Sequence, residues 1–76
     1  MPRFYFDIRR DGVTKLDSDG LFLPSVMIAR AEASRAAIDM VREASPHDTP
    51  ELVVAVRDEA GKHLFEVQAL VRVLER

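Results

Sequence analysis

The two histidines are the residues of this chain whose type best suits acid–base chemistry, because a histidine beside a carboxylate can act as an oriented general base. His47 is followed directly by Asp48, and His63 stands sixteen residues beyond His47. Adjacent side chains in a loop rarely face one pocket, and this spacing favours no metal site. The chain has no cysteine, and no activated serine stands nearby as a nucleophile. We therefore expect both histidines to be solvated, no catalytic residues, and a protein that is not an enzyme.

A second pattern, Asp17-x-Asp19-Gly20, looks like the start of a calcium loop. An EF-hand loop also needs a bidentate glutamate at its twelfth position, and counted from Asp17 that position is Ile28. Aspartate and glycine are common turn residues, so the pattern predicts a turn. The three glycines of the chain form no phosphate-binding loop. The sequence thus predicts no metal and no cofactor.

Three consecutive aromatic residues, Phe4, Tyr5 and Phe6, are of the type that stacks on nucleic-acid bases. Side chains of a strand alternate between two faces, so Phe4 and Phe6 are expected in the core and Tyr5 on the other face. The net charge is −2 and the pI about 5.6, whereas nucleic-acid binding favours a basic surface. These features argue against nucleic acid as the partner.

The spacing of apolar residues predicts the secondary structure. Apolar residues alternate with polar ones near both ends of the chain, as in strands, and recur every three or four residues in the middle, as in a helix. The predicted elements are a strand at Arg3–Arg9, a turn at Arg10–Gly12, a strand at Val13–Asp17 with Leu16 as its clearest apolar contact, an extended Leu21–Leu23, a helix at Ser25–Ala44 with Ser25 as N-cap, and strands at Leu52–Arg57 and His63–Leu74.

Packing predictions follow from the same pattern. The helix has one apolar stripe, composed of Val26, Ala29, Ala33, Ala36, Ala37, Met40 and Ala44. This stripe is expected to cover one face of a sheet. A four-residue turn at Asp58–Gly61 predicts that Val54 lies opposite Phe65 and Leu52 opposite Val67.

The order of elements, β-β-α-β-β, predicts one α+β domain over residues 1–76. Hairpins favour an antiparallel sheet, and one amphipathic helix covers a single face of it. Strands with apolar residues on both faces belong in the centre, so the predicted order of the four strands is 2-1-3-4.

The chain also resembles a family of small uncharacterised bacterial proteins from rhizobia and related alphaproteobacteria, a domain of unknown function. The resemblance rests on four segments in matching order: Met1-Pro2-Arg3-Phe4-Tyr5-Phe6-Asp7, Asp17-x-Asp19-Gly20-x-x-Leu23-Pro24, Ala29-Arg30-Ala31-Glu32-Ala33 and Val56-Arg57-Asp58-Glu59-x-Gly61. It covers the whole chain and implies a bacterial origin, and it implies no catalytic residue.

Apolar side chains left over after the core is built give the most informative prediction about function. The predicted interaction face, on the side of the sheet away from the helix, consists of Tyr5, Val53, Ala55, Leu64 and Leu70. A contiguous apolar patch usually marks a contact, and a core of this size is marginal. We therefore expect a non-catalytic interaction module that forms a homodimer or binds another protein.

One alternative stays open. The layout of a leading hairpin, an alanine-rich helix and later strands resembles HicB-type antitoxin domains, which implies a regulatory domain that binds a toxin or nucleic acid. For location, no apolar run approaches the roughly 20 residues of a membrane span, and the first residues lack the features of a signal peptide. We expect a cytoplasmic protein, not attached to a membrane.

Overall fold

A computed structural model describes residues 1–43, 51–71 and 74–75 of the protein. The elements in this part of the chain are β1 Arg3–Arg10, β2 Val13–Lys15, β3 Leu21–Phe22, α1 Val26–Glu43, β4 Glu51–Arg57 and β5 His63–Leu70. The strands pair antiparallel in one sheet, and α1 packs over β4 and β5. The predicted α+β class, with one helix on one face of an antiparallel sheet, is confirmed.

The sheet has one more strand than predicted. Its main path is β2-β1-β4-β5, which corresponds to the predicted order 2-1-3-4. The additional strand β3 pairs with the beginning of β1, with Arg3 opposite Phe22 and Phe4 opposite Leu21. Because β2 is only three residues long, it leaves that part of β1 unpaired, and the extended segment before Pro24 occupies it.

The first hairpin turns through Asp11 and Gly12, whose φ angles of 51° and 81° are both left-handed. Two such residues between paired strands make the type I′ turn, whose twist matches the strands. The predicted turn is confirmed, but β2 ends at Lys15 and not at Asp17. Leu16 therefore lies beyond the strand and is 69% exposed, so its predicted role as a core contact is wrong.

Helix α1 begins as predicted, because the amide of Ile28 donates to the Ser25 hydroxyl at 3.2 Å. The predicted alanine stripe is confirmed at its centre, where Ala29, Ala33 and Ala37 are buried. Val26, also predicted for the stripe, is 51% exposed. Helical side chains tilt toward the N-terminus, so at the first helical residue Val26 points past the end of the packed surface. Ala44 lies outside the described residues.

The pairing of β4 with β5 differs from the prediction by two residues. Val54 lies opposite Val67, and Val56 lies opposite Phe65. The predicted turn does form, since the Gly61 amide donates to the Asp58 carbonyl at 3.0 Å. The connection is one residue longer than predicted, because the Asp58 amide donates to the Lys62 carbonyl at 2.9 Å and Arg57 pairs with His63. A bulge between Val56 and Arg57 adds the second residue of the shift. A shift of two keeps the side chains from Phe65 onward on their predicted faces, whereas Leu64, predicted for the face away from the helix, packs against the core.

Strand β5 also ends earlier than predicted, at Leu70, because Val71 and Leu74 are not in strand conformation. The core lies between α1 and the strands β1, β4 and β5. Its buried members are Phe4, Ala29, Ala33, Ala37, Leu52, Val54 and Val56. Below, these residues are called the core cluster.

Candidate functional site

The face of the sheet opposite α1, called the open face below, carries an ion pair between β1 and β4. The Nε of Arg57 donates to Asp7 Oδ2 at 2.8 Å, and its Nη2 donates to Oδ1 at 3.4 Å. Asp7 is 9% exposed, so its charge needs a partner. The hydrogen bond to Asp7 raises the pKa of Arg57, although partial burial opposes this. The pair joins two central strands through residues fifty positions apart.

Asp17 fills the gap that β2 and β3 leave along the edge of β1. One carboxylate oxygen accepts from the Phe6 amide at 3.1 Å, and the other accepts from the amides of Asp19 and Gly20 at 3.1 and 3.2 Å. Burial acts to raise the pKa of Asp17, but the amides of Phe6, Gly20 and Asp19, with the charge of Arg57, outweigh it and lower the pKa. The side chain thus replaces the missing strand in hydrogen bonding.

The backbone of Asp17 joins the same network. Its amide donates to Asp7 Oδ1 at 2.9 Å, and its carbonyl accepts from Arg57 Nη2 at 2.8 Å. Nearby, Gly20 has a φ of 70°, and a Cβ there would lie 2.9 Å from both Arg3 Cγ and the Phe4 carbonyl oxygen. Only glycine fits this crossing without displacement. These contacts hold the segment between β2 and β3 against β1 and β4.

Cations and aromatic rings alternate across the open face beside this network. The guanidinium of Arg57 lies 4.5 Å from the centre of the Tyr5 ring. Arg3 donates to the Tyr5 hydroxyl at 3.2 Å and lies 4.5 Å from the centre of the Phe22 ring. Cation–π contacts of this kind stabilise the ring and the cation together. The open face around Tyr5 therefore combines aromatic rings with charged arginine side chains.

The residues of the predicted interaction face are not equally accessible. Tyr5 and Ala55 are half-buried, Val53 is 2% exposed, Leu64 is half-buried and packs against the core cluster, and Leu70 is 58% exposed. The depression next to Val53 is lined by the polar side chains of Arg9, Asp11 and Glu51 with Gly12. The described open face thus offers no contiguous apolar patch around all five. Their role in binding stays a prediction.

The histidines are not brought together in the described residues. The imidazole of His63 is 55% exposed, and its Nε2 lies 3.6 Å from Glu66 Oε1. His47 and Asp48 lie outside the described part of the chain. Among residues 1–43, 51–71 and 74–75, no three acidic or histidine side chains form a group suited to a metal ion. No helix there is both long and apolar enough to cross a membrane.

The two edges of the sheet differ in a way that bears on association. One edge of β1 is covered by two short strands, and the Asp17 carboxylate caps an amide between them. The other edge is β5, eight residues long, which pairs with β4 on one side and has no strand on its outer side among the described residues. An unprotected edge is a template for another strand.

A family model for a domain of unknown function, DUF6894, matches residues 3–70. The chain belongs to this family. The match spans the fold from the start of β1 to the end of β5. No curated protein and no solved structure shows a significant match.

Within this DUF6894 domain, residues from three segments of the sequence pattern meet on the open face: Asp7, Asp17, Gly20 and Arg57. The sequence predicted the turn at Asp17 but not the contacts that its carboxylate makes. The pairing of Asp7 with Arg57 was also missed. Asp7 within β1 and Arg57 at the end of β4 have opposite charges and lie on the same face. This was the available signal, but the two side chains meet only in the observed register of β1 and β4.

Proposed function

We propose that the protein is a non-catalytic interaction module of the bacterial cytoplasm that associates with itself by adding β5 to the β5 strand of a second copy. The observation that carries this proposal is the open outer edge of β5. In strand addition, main-chain hydrogen bonds between two edges supply affinity, and side-chain pairs supply specificity. The cytoplasmic setting is supported by a chain without cysteine, which suits a reducing compartment.

The composition of β5 supports pairing. Natural edge strands are usually protected by proline, lysine, short length or bulges. The sequence of β5, HLFEVQAL, contains no proline and no lysine, and Glu66 is its single acidic residue. The bulge of this hairpin leaves Leu64 as an extra residue near the start of β5, because Val56 pairs with Phe65 and Arg57 with His63. From Phe65 to Leu70 the strand pairs with β4 without a further bulge.

Hydrogen exchange measured as a function of protein concentration tests the proposal, with molar mass from light scattering on the same samples. We expect a monomer–dimer equilibrium. Amides in the segment 63–70 should exchange more slowly as the dimer fills, because half of them gain a partner across the new strand pair. Amides of β2 serve as the internal control and should not change.

Two results would overturn the proposal. One is a monomer at every concentration that the protein tolerates. The other is a dimer whose added protection lies elsewhere, for example on the open face around Tyr5 and Val53, with segment 63–70 unchanged.

A further inference from the structure

The outer flank of α1 carries a mainly apolar stripe, most of which lies outside the core. It consists of Met27, Ala31, Ser34, Ile38 and Val41 and is called the flank stripe below. Met27 is 77% exposed and Ile38 57%, while Val41 lies at the margin of the core cluster. The spacing alternates between four and three residues, the repeat by which two helices pack along their length. The Ser34 hydroxyl already donates to the Arg30 carbonyl, so a neighbouring helix would not leave it unpaired.

The topology decides which way the flank stripe faces. Strands β3 and β4 are both antiparallel to β1 and therefore parallel to each other, with α1 between them in the chain. Such crossovers are right-handed in about 98% of cases. At about 100° per residue, the flank stripe lies about 80–160° from Ala33 around the helix axis, in the direction that a right-handed crossover turns toward β5. The opposite flank, which carries Glu32 and Asp39, turns toward β1.

We propose that the second copy docks by a two-fold axis beside β5, so that the flank stripes of the two α1 helices pack against each other above the joined strands. This inference rests on the self-association proposed above and adds a second contact surface to it. A single strand pair buries little area, whereas specific interfaces usually bury about 1,200–2,000 Å². The flank stripe adds apolar contact area beside the paired strands, which alone bury too little area for a specific interface.

The distances agree with this arrangement. Neighbouring strands lie about 4.8 Å apart, so a two-fold axis between two β5 strands lies about 2.4 Å outside each. Because α1 packs over both β4 and β5, its axis is placed above the midline between these two strands, about 2.4 Å from β5 on the β4 side. The two helices then run about 10 Å apart, at the upper end of the 8–10 Å of packed helices.

Side-chain pairing selects the register. A two-fold axis perpendicular to the sheet makes the strands antiparallel and keeps both helices on one face. Centred on Val67, it places Glu66 opposite Gln68 of the second copy and Phe65 opposite Ala69, which pairs a carboxylate with an amide and a large side chain with a small one. Centred on Glu66, it would oppose two like charges.

The test compares the same substitution on the two flanks of α1. Ile38 on the flank stripe and Ile28 on the opposite flank are 57% and 47% exposed. Ile38→Lys would place a charge in the helix–helix contact, which is costly without a partner, so we expect the dimer dissociation constant from sedimentation to rise about tenfold or more. Ile28→Lys should change it less than about twofold. Circular dichroism and thermal unfolding at monomeric concentration establish that both variants are folded, and Ile38→Ala gives a smaller change of the same sign.

The outcomes separate this inference from the proposed function. If wild-type protein dimerises with protection at β5 and both lysine variants dimerise equally well, the flank stripe is not a contact and the strand pairing stands. If Ile28→Lys weakens the dimer as much as Ile38→Lys, the inferred direction of the flank stripe is wrong. If wild-type protein is monomeric, both proposals fail together.

Discussion

Replacing Asp17 by asparagine tests how much its carboxylate contributes to stability by accepting hydrogen bonds along the part of β1 that neither β2 nor β3 pairs with. Its two oxygens accept from the amides of Phe6, Asp19 and Gly20. Asparagine keeps the shape but presents an NH₂ group to one side, so at least one backbone amide loses its acceptor. A lost hydrogen bond to a charged group or an unsatisfied buried donor costs about 1–3 kcal/mol. For 76 residues at about 0.05–0.15 kcal/mol each, total stability is about 4–11 kcal/mol, so the effect is readily measured by urea unfolding.

The matched control is Asp19→Asn, which removes the same charge two residues away, where the carboxylate makes no hydrogen bond or ion pair among the described residues. It should change stability by less than about 0.5 kcal/mol. Because folding lowers the pKa of Asp17, its stabilisation is complete above the unfolded value of 3.8 and is lost as the pH falls through the folded pKa. The difference between wild type and Asp17→Asn should therefore shrink in acid. Equal stability of Asp17→Asn and Asp19→Asn at pH 7 and one protein concentration would show that the Asp17 carboxylate does not hold this edge of β1.

Three further predictions concern the turn, the ion pair and the edge. Gly20→Ala should destabilise the fold more than Gly61→Ala in urea unfolding, because both sites have positive φ but only at Gly20 does a Cβ meet backbone at 2.9 Å. Arg57→Lys should lower the thermal midpoint, because an ammonium cannot replace the two-pronged guanidinium; an unchanged midpoint would show that the fork is dispensable. Gln68→Lys should tighten the dimer and Gln68→Glu should weaken it, each by about 0.2–1 kcal/mol per pair with Glu66; shifts of the same sign would contradict the register.

Much of the fold could be predicted from the sequence because short-range signals agree with the tertiary packing. Alternation in β1 and β4 places their apolar side chains correctly, and the alanine stripe of α1 marks the surface that packs. Ser25 at the N-cap and the turn at Asp58–Gly61 follow from local hydrogen-bonding chemistry. These features depend on a few neighbouring residues and on little else.

The features that the sequence did not predict all depend on pairing between residues that are far apart in the chain. The two-residue strand β3 has no periodicity of its own and exists because β2 leaves part of β1 free. The register of β4 and β5 depends on a bulge at Arg57, which composition does not reveal. The register of β1 and β4 brings Asp7 to Arg57, so the network on the open face could not be predicted without that second register. The accessible surface of Val53 likewise depends on the side chains of neighbouring strands.

Disulfide formation between cysteines placed on β5 tests whether two β5 strands pair in a dimer, since the natural chain has no cysteine. Glu66→Cys and Gln68→Cys proteins are mixed and mildly oxidised. In the proposed dimer, positions 66 and 68 face each other at about 4.5–5.5 Å between Cβ atoms, whereas each position lies about 7–8 Å from its own copy. The mixed dimer should form faster than either self-linked dimer. Faster self-linking of the Glu66→Cys protein, or no linkage at dimeric concentration, would contradict this pairing.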